Sequence, residues 1–156
     1  MMDNLIYAVI STIEGKTGYK CGKADKLIQE EIEKLKLSLD TKRLFQWSWF
    51  IEDIEIGPNI YSSKSIVEIE KNRHNLSNEI IEIGFCPNGD SIFLRDADSA
   101  ILYWSHDESE DQEINDESLF LVYDRVEYLL LNICNSNFIP WDSNSGQDYF
   151  ELYQGK

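Results

Sequence analysis

His106 followed by Asp107 is the first place to look for chemistry in this chain, because an imidazole beside a carboxylate can serve as an oriented base. The pair stands alone. Only one other histidine, His74, occurs. No serine nucleophile motif, zinc-protease helix, phosphate loop or dinucleotide fingerprint accompanies it. Adjacent side chains diverge from the backbone, so the expectation is no catalysis and a surface histidine in an acidic loop. Cys21, Cys86 and Cys134 are odd in number and far apart, without a CxxC pair. They read as reduced thiols, two of them buried, rather than as a metal or redox site. No cofactor and no metal are expected.

The stronger feature is charge. Asp107, Glu108, Glu110, Asp111, Glu113, Asp116 and Glu117 put seven acids into eleven residues with no base among them. A calcium loop of the EF-hand kind fails here, since its obligatory glycine falls on Gln112 and its closing glutamate on Ser118. Over the whole chain the net charge is −15. Residues 1–50 hold eight basic and seven acidic side chains, and residues 51–156 hold six and twenty-two. Such a surface repels nucleic acid and anionic lipid and attracts basic proteins. The bland alternative is a solvated loop that serves solubility.

Trp104 directly precedes the acidic run. A large ring surrounded by charge is the usual make-up of a binding anchor. The partner-binding candidates are therefore Trp104, Asp107, Glu108, Glu110, Asp111 and Glu113. Tyr103 and Trp104 must point to opposite faces of a strand, so the tryptophan is equally readable as core.

The elements that position these residues are three strands in succession. Ile80–Phe85, Ile92–Leu94 and Ile101–Trp104 are rich in residues that suit a half-buried pleated surface. Pro87-Asn88-Gly89-Asp90 and Asp96–Ser99 are the turns between them. Before this meander, the spacing of Leu5, Ile6, Val9, Ile10 and Ile13 is one face of a helix, with a strand as the alternative. Asp25 caps a helix running to about Leu37, with Glu30 and Lys34 paired on its wet side. Asp40 is a cap candidate for a helix over 41–49. Residues 50–56 alternate like an edge strand, and Ser63 caps a helix to about Arg73. After the acidic run, Leu119–Tyr123 reads as a strand. Asp124 caps a last, largely apolar helix to Cys134. The aromatic-rich tail, 135–156, is expected to dock on the body or on a second copy of the chain.

At 156 residues, with 42% hydrophobic and 12% aromatic content, the chain suits one folded domain. The expectation is a single α+β domain with a largely antiparallel sheet of four to six strands, helices on one face and one wet face or edge. There is no apolar run long enough to span a membrane, and the first residues lack the basic start of a secretory signal. The cytoplasm is the expected compartment.

The order of these motifs resembles the SUKH superfamily. The likeness is carried by 81–107, where Ile83-Gly84 and Gly89-Asp90 stand among strand, turn and strand, ending on an Ile-Tyr strand and a His-acid pair. Tyr61-Ser62-Ser63 with Ile66 and Glu68 is similar to the approach to the family's middle helix. Val122-Tyr123-Asp124 with Val126, Tyr128 and Leu129 resembles its last strand and helix. Tyr19, Gly22, Ala24, Ile28, Glu31 and Leu35 resemble its opening loop and helix. Leu39-Asp40 stands where the family usually has Leu-Pro, and Trp47-Ser48-Trp49-Phe50 replaces its Asn-Gly-Gly stretch. The resemblance implies a non-catalytic immunity protein of a bacterial toxin system, which binds a cognate toxin domain, often a nuclease. The eukaryotic members of the family imply a regulatory scaffold of cell-wall synthesis as the alternative.

Overall fold

In the computed structural model the residues described are 2–18, 20–47, 61–62, 76–85, 89–107 and 113–134. The elements in chain order are α1 (Met2–Thr17), α2 (Lys26–Lys34), α3 (Leu39–Phe45), β1 (Tyr61–Ser62), β2 (Ile80–Phe85), β3 (Ser91–Arg95), β4 (Ala100–Trp104), β5 (Phe120–Tyr123) and α4 (Val126–Cys134). A 3-10 turn, Asp116–Ser118, precedes β5. The sheet order is β1-β2-β3-β4-β5, and every neighbouring pair is antiparallel. The fold is α+β, as the alternating strands and turn residues required.

Two-residue alternation sorts the sheet into two faces, interrupted by register shifts at Ile83 in β2 and Val122 in β5. Ile81, Ile83, Ile92, Leu94, Ile101, Tyr103 and Val122 face the helices. Ile6, Val9, Ile10 and Ile13 meet them from α1, and Val126, Leu129 and Leu130 from α4. The three-and-four spacing of both sets makes one stripe per helix, and α1 and α4 pack together. The helix alternative for the first segment is the one the chain adopts, and it runs farther, to Thr17.

The opposite face is not wet over the central strands. Ile80, Phe93, Leu102 and Trp104 form a second buried cluster, capped by Leu76, Ile114 and Leu119. β4 is buried at all five positions. The expected wet face is thus corrected for β3 and β4. Among the described residues its cover comes from Leu76 and Ile114, single apolar residues in polar connections that carry no periodicity for a sequence reading to detect, and from Leu119 just ahead of β5.

Local chemistry fixes the connections. Asp25 caps α2 by accepting from the Ile28 N–H at 3.0 Å. Lys34 meets Glu31 at 2.8 Å instead of forming the expected pair with Glu30. α3 starts two residues earlier than expected, because Ser38, not Asp40, is its cap: Ser38 Oγ accepts from the Thr41 N–H at 3.2 Å. Asp40 sits in the first turn, where its charge suits the helix dipole. Trp47, half-buried, meets the Tyr7 ring edge-on at 5.6 Å, with Lys23 Nζ 5.9 Å from its centroid. In the β3–β4 turn Arg95 and Asp98 form a two-pronged pair at 3.0 and 2.8 Å, and Ser99 takes a left-handed φ of 60°. The expected edge strand over 50–56, the helix after Ser63 and the tail 135–156 lie outside the described residues.

Candidate functional site

The end of β4 and the start of β3 meet at a buried carboxylate. Asp90 is 1% exposed and lies directly before Ser91, the first residue of β3. One of its oxygens accepts the Tyr103 hydroxyl at 2.6 Å. The other accepts the His106 backbone N–H at 3.0 Å and lies 2.6 Å from His106 Nδ1. A buried charge persists only when it is bonded on all sides, and these three donors do that. Gly89 makes the approach: its φ of 99° is open to glycine, and His106 Nδ1 lies 4.0 Å from where a Cβ would stand.

His106 has a second carboxylate on its outer side. Its Nε2 lies 3.1 Å from Asp107 Oδ1, so the ring is held between Asp90 and Asp107. Bonding to Asp90 first, then the charges of Asp107 and Asp90, raise the imidazole pKa above its ordinary 6.5, while partial burial lowers it. When the ring is protonated both nitrogens donate, and the imidazolium then bridges the root of the acidic segment to the sheet.

That raised pKa gives a pH dependence of definite sign. The stabilising contribution of His106 is complete below the unfolded-state pKa, about 6.5, and is lost as pH rises through the higher folded-state value. The thermal midpoint of the parent is therefore expected to fall relative to that of His106→Gln as pH rises from about 6.5. Parallel melting curves for the two proteins across that window would show that the bridge does not form.

The sequence-predicted site residues divide three ways. Trp104 is 6% exposed and belongs to the second-face cluster, so its ring is not displayed as an anchor. Asp107 is exposed, its side chain 83% accessible, and Glu113 is exposed as well. Glu108, Glu110 and Asp111 lie outside the described residues. Asp116 and Glu117 are also exposed, on a 3-10 turn closed by a reciprocal Asn115–Ser118 capping box. Asp116 ties this turn back to the segment before β2 by accepting the Ser77 N–H at 2.9 Å. The residue the sequence reading passed over is Asp90. Its signal was present in Gly89-Asp90, but a Gly-Asp pair before a strand reads as a turn, and nothing in its spacing shows that His106 returns to it.

Two shielded polar atoms, Trp104 Nε1 and Asp124 Oδ1, have no hydrogen-bond partner among the described residues. Cys21 and Cys134 are free and half-buried, less enclosed than expected, and Cys86 lies outside the described residues. Burial, and then the charge of Glu14, push the Cys21 thiol up to about 11, which makes it a poor nucleophile. Among the described residues no group of three acidic, histidine or cysteine side chains is placed to hold a metal ion. No described helix is long and apolar enough to cross a membrane.

Compared with known proteins, the chain matches no family model, no curated protein and no solved structure.

Proposed function

We propose that this protein is a non-catalytic binder of a basic protein, and specifically an immunity protein that neutralises a cognate toxin domain in the cytoplasm of the producing cell. The observation that carries the reading is the exposed acidic surface rooted at Asp107 and continued by Glu113, Asp116 and Glu117, anchored to a rigid sheet through His106 and Asp90. A toxin that acts on nucleic acid is basic because it holds phosphates, and carboxylates at this density can stand in for them. The family resemblance supplies the toxin. The charge supplies the mode of recognition.

The test is to look for a toxin domain encoded by a neighbouring gene, co-express the two, and then measure association kinetics. Reversing Glu108, Glu110, Asp111 and Glu113 to Lys is expected to slow association at low salt by roughly tenfold or more and to flatten its salt dependence. Asp107 is kept because its carboxylate holds His106. The thermal midpoint should stay level or rise as self-repulsion falls. Unchanged association at both low and physiological salt would place the interface elsewhere, and cell death despite soluble co-expression would remove the immunity reading for that pair.

A further inference from the structure

Burial falls away steeply where the chain leaves β4. Ser105 is 3% exposed, the His106 side chain 34% and the Asp107 side chain 83%. His106 is thus the step between the sheet and the acidic segment, and its ring meets a different carboxylate on each side. On the inner side Nδ1 lies 2.6 Å from Asp90, and the same Asp90 oxygen accepts the His106 backbone N–H at 3.0 Å. On the outer side Nε2 lies 3.1 Å from Asp107.

The two contacts do not survive loss of a proton equally. Asp90 is buried at 1% exposure and cannot exchange a protein donor for water, so the neutral ring keeps its hydrogen on Nδ1. The proton that leaves is the one on Nε2. The nitrogen lone pair then faces the Asp107 oxygen, acceptor against acceptor, and water is at hand to satisfy so exposed a carboxylate. The backbone N–H and the Nδ1 bond hold the ring in place meanwhile. Among the described residues the groups that face it are Asp90 from the start of β3, Asp107 from its own segment, and Tyr103 on β4, whose hydroxyl reaches it only through the other oxygen of Asp90. The charges that act on it are those of Asp107 and Asp90.

We infer that His106 is a one-sided latch on the acidic segment: as imidazolium it pins the Asp107 carboxylate beside the sheet, and as neutral imidazole it releases Asp107 while staying on Asp90. The consequence for docking rests on the acidic-surface reading above and adds its regulation. Loss of the proton makes the local charge more negative by one and frees the carboxylate nearest the sheet. A basic partner is then held more tightly on the alkaline side of the His106 titration than on the acid side.

The test uses the full chain labelled with carbon-13 and nitrogen-15. The His106 ring nitrogens and the Asp107 side-chain carboxyl are followed by NMR from about pH 5.5 to about pH 9, a span that brackets an ordinary or raised imidazole. Nδ1 is expected to keep its proton throughout while Nε2 loses its own, with the Asp107 carboxyl moving at the same midpoint. In His106→Gln the Asp107 response across this window is expected to vanish. Loss of the proton from Nδ1 instead, or an Asp107 carboxyl that does not follow the ring, overturns the latch. The docking arm uses end-capped nona-arginine, whose charge is constant over this range. Affinities are taken relative to His106→Gln, which cancels the titration of His74. At low salt the parent is expected to gain roughly two- to fivefold in this ratio from below the midpoint to above it. A ratio that stays constant, with the peptide bound at 107–117, overturns control of the surface by the latch. No binding at 107–117 at either pH removes the acidic-surface reading and leaves the ring and carboxyl shifts to decide the latch.

Discussion

Asp90→Ala is expected to destabilise the fold by about 3 kcal/mol, lowering the thermal midpoint by roughly 6–12 °C for a domain of this size. The substitution removes the carboxylate that accepts from the Tyr103 hydroxyl and the His106 backbone N–H and that meets the His106 ring. Tyr103, fully buried, loses the partner at the end of its ring, and such a loss costs more than an exposed bond because water cannot replace the acceptor. His106 loses both its backbone and its ring partner, so the start of the acidic segment comes free of the sheet. Asp90→Asn separates charge from shape. It retains one acceptor oxygen and should recover part of the stability. It should also return the His106 pKa toward the ordinary 6.5, which an imidazole proton titration by NMR reads directly. If Asp90→Ala melts within a degree of the parent, the buried carboxylate does not hold this corner together. If Asp90→Asn leaves the titration unmoved, the imidazole is not set by Asp90.

Asp96→Ala is expected to cost about 2 kcal/mol, by a different route. Asp96 opens the β3–β4 turn, yet its carboxylate serves a helix 55–58 residues earlier in the chain. One oxygen accepts the Ser38 N–H at 2.9 Å. The other takes the Ser38 hydroxyl at 2.8 Å and the Thr41 hydroxyl. Thr41 is buried at 1% exposure, so its hydroxyl is the costly group to strand. The carboxylate is partly open to solvent, which holds the estimate below that for Asp90. A double-mutant cycle with Thr41→Val should return a coupling of about 1 kcal/mol. Additive effects of Asp96→Ala and Thr41→Val would mean that the turn and α3 are held together by apolar packing alone.

These two carboxylates also mark where sequence reading stops. The meander was legible because strand and turn announce themselves locally: Ile80–Phe85 matches β2 residue for residue, and the other two strands lengthen by one or two. α1 was legible as a face, although so short a run left a strand open until its packing on α4 decided the matter. Only Asp40 is expected from the sequence as the cap of α3; Ser38 is an equally good cap residue by type, and the contact with Thr41 chooses it. Asp90 and Asp96 both looked like turn residues. Turn chemistry is local, whereas the partners that give them their weight come from elsewhere in the chain. Trp104 illustrates the same limit from the apolar side. Alternation correctly sets it opposite Tyr103, but among the described residues it is Leu76 and Ile114, each isolated in polar sequence, and Leu119, just ahead of β5, that make the second face an interior.

The strand order carries a consequence for how the chain reaches this state. Each strand lies beside its neighbour in sequence, so the sheet can assemble by short-range hairpin closure, at small entropic cost and early. α1 finds its most extensive helix contact far along the chain. Its partner helix α4 lies beyond every strand, so this contact closes the longest loop among the described elements. During vectorial synthesis α1 leaves the ribosome with its apolar stripe uncovered and waits for α4 to follow. The isoleucines and valine of that stripe are then the nascent protein's chief chaperone-accessible surface, and the sheet, complete before α4 arrives, is the template on which the two helices finally close.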